Sequence, residues 1–394
     1  MYSFDSQVDR RGTGSIKWDR AKGKFHTEKD IIPLWIADTD FKAPDPVRQA
    51  LIQRAEHGVY GYTFATEEYK KAIAEWYSSQ YGIQVEHNWV CPTCSVVTAL
   101  YFTILALTRP GDRVMINTPI YDPFYAIIRN TGRETVESEL ICTDGRYELD
   151  FRDMEEKMKE GVSLLMFCSP HNPTGRVWTR REMEQIVFLC QKYGVYLASD
   201  EIHGDLALFG NQHVSAMEFP EIFSQLSVYT APGKTFALTG METSNLLIPD
   251  ENMRSRIMEK LNGAWIMSPN LFGLAAAKAA YEQGEEWLKE EKKYLEENSR
   301  FVSEYVYEHM PKVRVSPHEG TYLMWLDFGC LGFGSELYSR LVEECGVGFG
   351  SGEQYGEGGK GFVRLNIGCS RGLLRKAMEA VGKLYSKRMG EIEE

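Results

Sequence analysis

The sequence predicts an α/β protein, a mostly parallel sheet flanked by helices, with a smaller α+β domain attached. Three observations carry this. From about Val90 to Pro249, short apolar segments alternate with amphipathic ones of helical length. The apolar segments lack polar alternation, so they read as strands buried on both faces, as in a parallel sheet covered by helices. After Pro269 the pattern changes to one long helical stretch followed by short strands.

In chain order, "VVTALYFTILAL" reads as a helix ended by "TRPGD", and "RVMIN" as a strand. "DPFYAIIRNTG" is a helix with a glycine stop, "SLLMFCS" a strand and "RREMEQIVFLCQKYG" a helix. "VYLASDE", "LSVYTA" and "TSNLLIP" are three further strands. A continuous helical stretch is expected through "GLAAAKAAYEQGEEWLKEEKKYLEENSRFVSEYVYEHM". Strands follow at "VRVSP", "TYLMWLDF" and "GFVRLNIG", then a last helix at "LLRKAMEAVGKLYSKRM". The expected division is a large domain over 47–275 and a small one made of 1–46 and 276–394.

Composition narrows the function classes. A chain of 394 residues is long enough for one large core or two domains. Its 43% hydrophobic and 25% charged residues are those of an ordinary soluble enzyme. A formal net charge of -12 with no basic stripe argues against nucleic acid and against an anionic membrane surface, while leaving room for a small anionic ligand. The opening "MYSFDSQVDRRGTG" has no apolar core of a signal peptide, and no apolar run reaches membrane-span length, so a cytoplasmic location is expected. Eight scattered cysteines suit buried thiols in a reducing compartment. Cys91 and Cys94 in "CPTCS" have C-x-x-C spacing, open to a redox reading. No second such pair follows at zinc-ribbon distance, so no metal site is expected.

Gly233-Lys234-Thr235 spells the end of a phosphate-binding loop. The full motif needs a glycine five residues before Gly233; Val228 stands there and Pro232 stiffens the approach, so the nucleotide reading fails. A surface lysine in a turn is the ordinary alternative, and context decides. Ligands of such sheets bind at the carboxyl ends of the strands. There the sequence places Tyr121 after "RVMIN", Asn172 after "SLLMFC", Asp200 and His203 after "VYLA", and Lys234 after "LSVYT". "TCS" precedes a helix and offers free backbone N–H groups, an anion site. Each has a plain explanation: Asn before Pro is good turn chemistry, Tyr121 suits a core, and Asp200-Glu201 suits a solvated acid pair. Together they supply an anion cradle, an aromatic plate, a hydrogen-bond donor, a carboxylate and an amine. That set suits a phosphorylated, planar, electron-withdrawing aldehyde.

The order Tyr121, "NPTG", "DEIH", Lys234 resembles the fold-type I pyridoxal-phosphate enzymes, the aspartate aminotransferase superfamily, over nearly the whole chain. "WIADTDF", "GYTFATEEYKKAIAEWY", "FCSPHNPTGRVW", "SDEIHGDL", "TAPGKTFALTGM" and "EGTYLMWLDF" resemble its MalY/PatB cystathionine β-lyase and cystalysin branch of C–S lyases. The resemblance implies pyridoxal 5'-phosphate as cofactor, with Lys234 bonded to its aldehyde and later taking the substrate Cα proton. It implies that Asp200 faces the ring nitrogen, Asn172 the phenolic oxygen and Tyr121 the ring face, with His203 behind. It places the phosphate on the amides of Cys94, Ser95 and Val96, which makes "CPTCS" a phosphate loop rather than a redox pair. Tyr62 would reach the phosphate of a neighbouring subunit in a homodimer with shared active sites. Arg364 would hold the α-carboxylate of an amino-acid substrate, with Ala37 and Asp38 nearby.

The chain departs from this pattern in four places. Relatives often carry Ser where Gly233 stands, Asn at Ala237 and Met at Thr39, and some aminotransferases carry an arginine where Glu242 stands. Gly233 is expected to weaken cofactor affinity by an amount on the order of 1 kcal/mol. The favoured function is β-elimination from cystathionine or cysteine-type thio-amino acids, giving pyruvate, ammonia and a thiol. The alternatives are a class I/II aminotransferase and a cofactor-binding regulatory protein.

Overall fold

The computed structural model describes residues 2–266 and 268–393. Its strands in chain order begin with Ile32–Leu34 (β1), Val90–Thr93 (β2), Arg113–Thr118 (β3), Glu134–Glu139 (β4), Ile141–Thr143 (β5), Arg146–Glu148 (β6) and Val162–Cys168 (β7). Then come Tyr196–Asp200 (β8), Leu226–Thr230 (β9), Ser244–Leu247 (β10), Arg314–Val315 (β11), Leu323–Asp327 (β12), Val347–Ser351 (β13) and Phe362–Asn366 (β14).

The larger sheet has the order β2-β10-β9-β8-β7-β3-β4. Pairing is parallel from β9 through β4, and β10 runs antiparallel to both its neighbours. The α/β class is therefore as expected. Its inner strands are buried on both faces, with residues alternating between two cores, while the edge strand β4 leaves Glu134, Thr135, Glu137 and Glu139 exposed. Val114, Ile116, Leu164 and Met166 pack under the helices Val96–Leu107, Pro123–Asn130 and Glu251–Gly263, whereas Met115, Leu165, Phe167 and Leu197 pack into the opposite core. Each such side chain, removed from water, contributes about 1.5–3 kcal/mol. The strand ends are in register: Cys168 pairs with Asp200, and Asp200 with Tyr229. The residues that follow β7, β8 and β9 are thereby brought to one edge.

The smaller sheet has the order β1-β13-β14-β12-β11. β1 joins it in parallel with β13, more than 300 residues later in the chain, and the other pairings are antiparallel. β13 was not expected, because its "GVGFGS" is poor in β-formers. A Cβ at Gly348 would stand 2.3 Å from the Phe25 ring, so close packing of the N-terminal segment requires that glycine. The continuous helix expected after Pro269 is two helices, Leu271–Gln283 and Glu285–His309. The break falls at Gly284, where a Cβ would lie 2.5 Å from Phe236 and 2.4 Å from the carbonyl of Ala280. Phe236, two residues past Lys234, packs where a side chain at Gly284 would stand. "VRVSP" contributes only the two residues of β11. The cysteines are free, and Cys142 is exposed rather than buried as expected. Among the described residues, no helix is long and apolar enough to cross a membrane.

Candidate active site

At the carboxyl edge of the larger sheet lies a cavity of about 290 Å3. Lining it are Ala37, Cys94, Ser95, Val96, Tyr121, Asn172, Asp200, His203 and Lys234. The five strand-end groups singled out in the sequence thus meet in one place. Thr239, Glu242, Thr243 and Ser244 also line it, and the sequence reading gave no role to three of these.

Lys234 sits in a one-turn helix, Pro232–Thr235, rather than in an open loop. Pro232 at its start pre-sets the backbone angle of a first turn. The ammonium donates to the carbonyl of Ala37 at 2.5 Å. Burial lowers its pKa to about 8 and the Arg364 charge works in the same direction, while Asp38 and Asp200 oppose them. Asp200 closes β8 and is 5% exposed. Its Oδ1 accepts the amide of Ile202 at 3.2 Å. Burial pushes its carboxyl up to about 7, against that hydrogen bond and the Lys234 charge. Buried carboxyl and amine groups with opposed perturbations are a mark of functional sites.

Asn172 is held by the turn that follows β7. The amide of Gly175 donates to the carbonyl of His171 at 2.9 Å, and that of His171 to the carbonyl of Arg176 at 2.8 Å. Gly175 has φ +73 and a Cβ there would meet His318 at 2.9 Å, so glycine is needed twice over. Arg176, 1% exposed, locks this turn by donating to Glu182 and to Glu319. Burial raises the Tyr121 hydroxyl to about 12, so it stays neutral. His203, 2% exposed, is held well below the ordinary imidazole range by burial and by the charges of Lys234 and Arg364. Its ring meets that of Tyr322 edge-on, with centroids 5.8 Å apart.

Ser95 is the N-cap of the helix Val96–Leu107: its Oγ accepts the amide of Thr98 at 3.1 Å. The first-turn amides of Val96 and Val97 have no partner inside the helix and are open to an anion. Arg364 comes from β14 in the other sheet. Its Nη1 donates to Asn172 Oδ1 at 3.0 Å and its Nη2 to the carbonyl of Trp35 at 2.8 Å, over the Tyr355 ring. Arg364 thus stands beside the cavity, on Asn172, rather than in its lining, and two further expected residues are not brought into it either. Asp38 stands behind Ala37 and accepts Arg10 at 2.7 Å, and Tyr62 is fully exposed.

Asn366 went unnoticed in the sequence, although strand periodicity puts it on the same face as Arg364. Its Nδ2 donates to the carbonyls of Ile36 and Asp38. Ala37, like Asp38, owes its place to this strand. Ala237 has φ +57, left-handed backbone that Asn tolerates better than Ala.

A flat, phosphorylated heteroaromatic aldehyde fits these residues. His203 Nδ1 and Arg364 Nε are buried without a partner, and unsatisfied polar groups around a cavity call for a ligand. Val96, Ala231, Ile202 and Tyr121 give apolar walls, Asp200 offers an acid to a ring nitrogen, and the helix start offers donors to a phosphate. Among the described residues, no group of His, Cys, Asp and Glu side chains could hold a metal ion.

Residues 29–381 match the family model for aminotransferase class I and II. The chain is 37% identical to cystathionine beta-lyase PatB of Bacillus subtilis, over 96% of this chain and 98% of that one. It is 32% identical to protein MalY of Escherichia coli, over 96% and 97%. Among solved structures it resembles cystalysin from Treponema denticola, which contains a pyridoxal 5'-phosphate cofactor. That match has a TM-score of 0.95 and 32% identity, over 99% of this chain and all of that one.

Proposed function

The chain belongs to the aminotransferase class I and II family, and from that premise we propose that it is a pyridoxal-phosphate-dependent carbon–sulfur β-lyase. It would cleave cystathionine or cysteine-type thio-amino acids to pyruvate, ammonia and a thiol. The observation that carries the reading is the single cavity that gathers Lys234, Asp200, Asn172 and Ser95 beside the Arg364 guanidinium. The names of the similar proteins support lyase chemistry within the family.

When bound, pyridoxal phosphate supplies an aldehyde that condenses with amines and a ring that accepts the electron pair released at the substrate Cα. Lys234 Nζ would hold that aldehyde until substrate takes its place. As a free amine with lowered pKa, Lys234 then accepts the Cα proton and can return a proton to the leaving sulfur. Asp200 would keep the ring nitrogen protonated, and Asn172 would donate to the phenolic oxygen. Tyr121 would lie against the ring face. His203, a neutral imidazole, would stand behind that oxygen. The amides of Cys94, Ser95 and Val96, with the Ser95 hydroxyl, hold the phosphate. Arg364 would bind the α-carboxylate, with Ala37 at that end and Asp38 behind it. One fixed cation orients every amino acid alike, since all share that carboxylate.

Domain limits of 47–275 against 1–46 with 276–394 are part of the same reading; the pairing of β1 with β13 supports them. So is a homodimer with shared sites. Tyr62, Phe64 and Trp265 are 113%, 72% and 85% exposed, a set of aromatic side chains that calls for a partner surface, and Tyr62 would serve the neighbour's phosphate. A cytoplasmic setting suits the free thiols.

An aminotransferase would use the same cofactor residues, and the family model favours it equally. Incubation with cystathionine alone separates the two. The lyase reading expects pyruvate, ammonia and thiol in equal amounts with no 2-oxo acid added. Turnover that requires a 2-oxo acid and releases no thiol would replace it with the aminotransferase.

A further inference from the structure

The segment Trp35–Thr39 presents five consecutive carbonyls, and each has a donor from elsewhere in the fold. Arg364 donates to Trp35, Asn366 to Ile36 and Asp38, and Arg10 to Thr39. The Ala37 carbonyl alone faces the cavity, where it accepts Lys234 at 2.5 Å and the Tyr322 hydroxyl at 3.2 Å. Behind it lies a buried ionic cluster. Lys17 is 0% exposed, and its ammonium donates to Asp40 Oδ2 and to the Asp38 carbonyl, both at 2.8 Å. Trp18 Nε1 and Arg10 Nη1 donate to Asp40 Oδ1 at 2.9 and 3.0 Å. Arg10 Nη2 donates to Asp38 Oδ2 at 2.7 Å.

A buried ion pair is poor evidence for added stability, because apolar residues of similar volume commonly serve at least as well. What it does supply is fixed geometry. We propose that Lys17 and Arg10 are positioning residues for Lys234: by clamping the turn 38–40 they hold the Ala37 carbonyl against its ammonium and fix the charge of the Asp38 carboxylate behind Ala37, and so set its basicity. The groups that face Lys234 are Asp38 from the N-terminal segment, Asp200 and neutral His203 after β8, and Arg364 from β14. Asp38 heads the charges that favour the ammonium. If the clamp loosens, both the carboxylate and the carbonyl withdraw, and both changes favour the free amine. The inference rests on Lys234 as the reactive amine, but not on the reaction it serves.

The test is the double variant Lys17→Met/Asp40→Asn. It leaves no lone buried charge and keeps an amide oxygen for Trp18 and Arg10. In the cofactor-free full chain, the rate at which acetic anhydride labels Lys234 is followed against pH, relative to exposed Lys71. The midpoint should fall by about one pH unit, and labelling near neutral pH should quicken about fivefold. In the loaded enzyme, the acid limb of kcat/KM should move the same way. Arg10→Lys, which keeps the charge beside Asp38 but loses the fork that reaches Thr39 and Asp40 as well, should shift the midpoint in the same direction by less. If the double variant folds and its curve superimposes on that of the unaltered protein, or if Arg10→Lys leaves the midpoint unmoved, the cluster is structural only and the proposal fails. A shifted midpoint in a protein that releases no thiol from cystathionine would uphold this inference while the lyase reading fell.

Discussion

Arg364 and Asn172 are 192 residues apart, and Nη1 of one donates to Oδ1 of the other at 3.0 Å. The contact joins the two sheets: the turn after β7 presents the amide, and the middle of β14 presents the guanidinium. The residue proposed to hold the substrate is thus braced by the residue proposed to hold the cofactor ring.

A lysine at that position keeps the charge but loses the planar fork that reaches Asn172, Trp35 and a carboxylate together. Arg364→Lys should therefore lower kcat/KM about 100-fold, equally for thio-amino acids with different side chains. Steady-state kinetics on two such substrates check this. A loss confined to one of them would mean that Arg364 reads the side chain.

Asp200→Asn should separate activity from stability. Replacing the charge with a neutral amide should cost about 100- to 1000-fold in kcat. In the cofactor-free protein the opposite sign is expected for folding. The folded carboxyl titrates near 7, above its unfolded value, so between these the folded state holds the extra proton. Stability attributable to this group then falls as pH rises through that window, by about 1.4 kcal/mol per pH unit at most, and the penalty is complete above it. The variant should thus gain in Tm over the unaltered protein at mildly alkaline pH, and gain less at acid pH. Thermal unfolding at both pH values decides the point.

Ala237 carries left-handed backbone between Lys234 and Thr239. Ala237→Gly removes the Cβ conflict and Ala237→Asn tolerates it, so each should raise stability by about 1 kcal/mol. Denaturant unfolding of the two variants measures this, and no gain in either would show that the strain is already relieved by neighbours.

The residues at the strand ends were legible because each stands where a long apolar run stops and a polar group begins, as at Asp200 and Asn172. Arg364 was legible only through the family resemblance, because a lone cation inside "GFVRLNIG" does not by itself name a ligand. What escaped lies in contacts between distant segments. Lys17 reads as a surface helix residue until Asp40 folds over it, and β1 has no partner until β13 arrives from more than 300 residues away. At the break, Gly284 is a local low-propensity signal, but the ring of Phe236 that excludes a side chain there comes from a distant segment.

Everything in the site is arranged about the Lys234 amine. The most direct measurement is borohydride reduction of the pyridoxal-phosphate-loaded enzyme, followed by peptide mapping of the cofactor label. The account predicts one labelled peptide, with the cofactor fixed on Nζ of Lys234, and no stable label in Lys234→Ala although that variant still binds the cofactor. A label on any other lysine, or an unchanged label in Lys234→Ala, would contradict it.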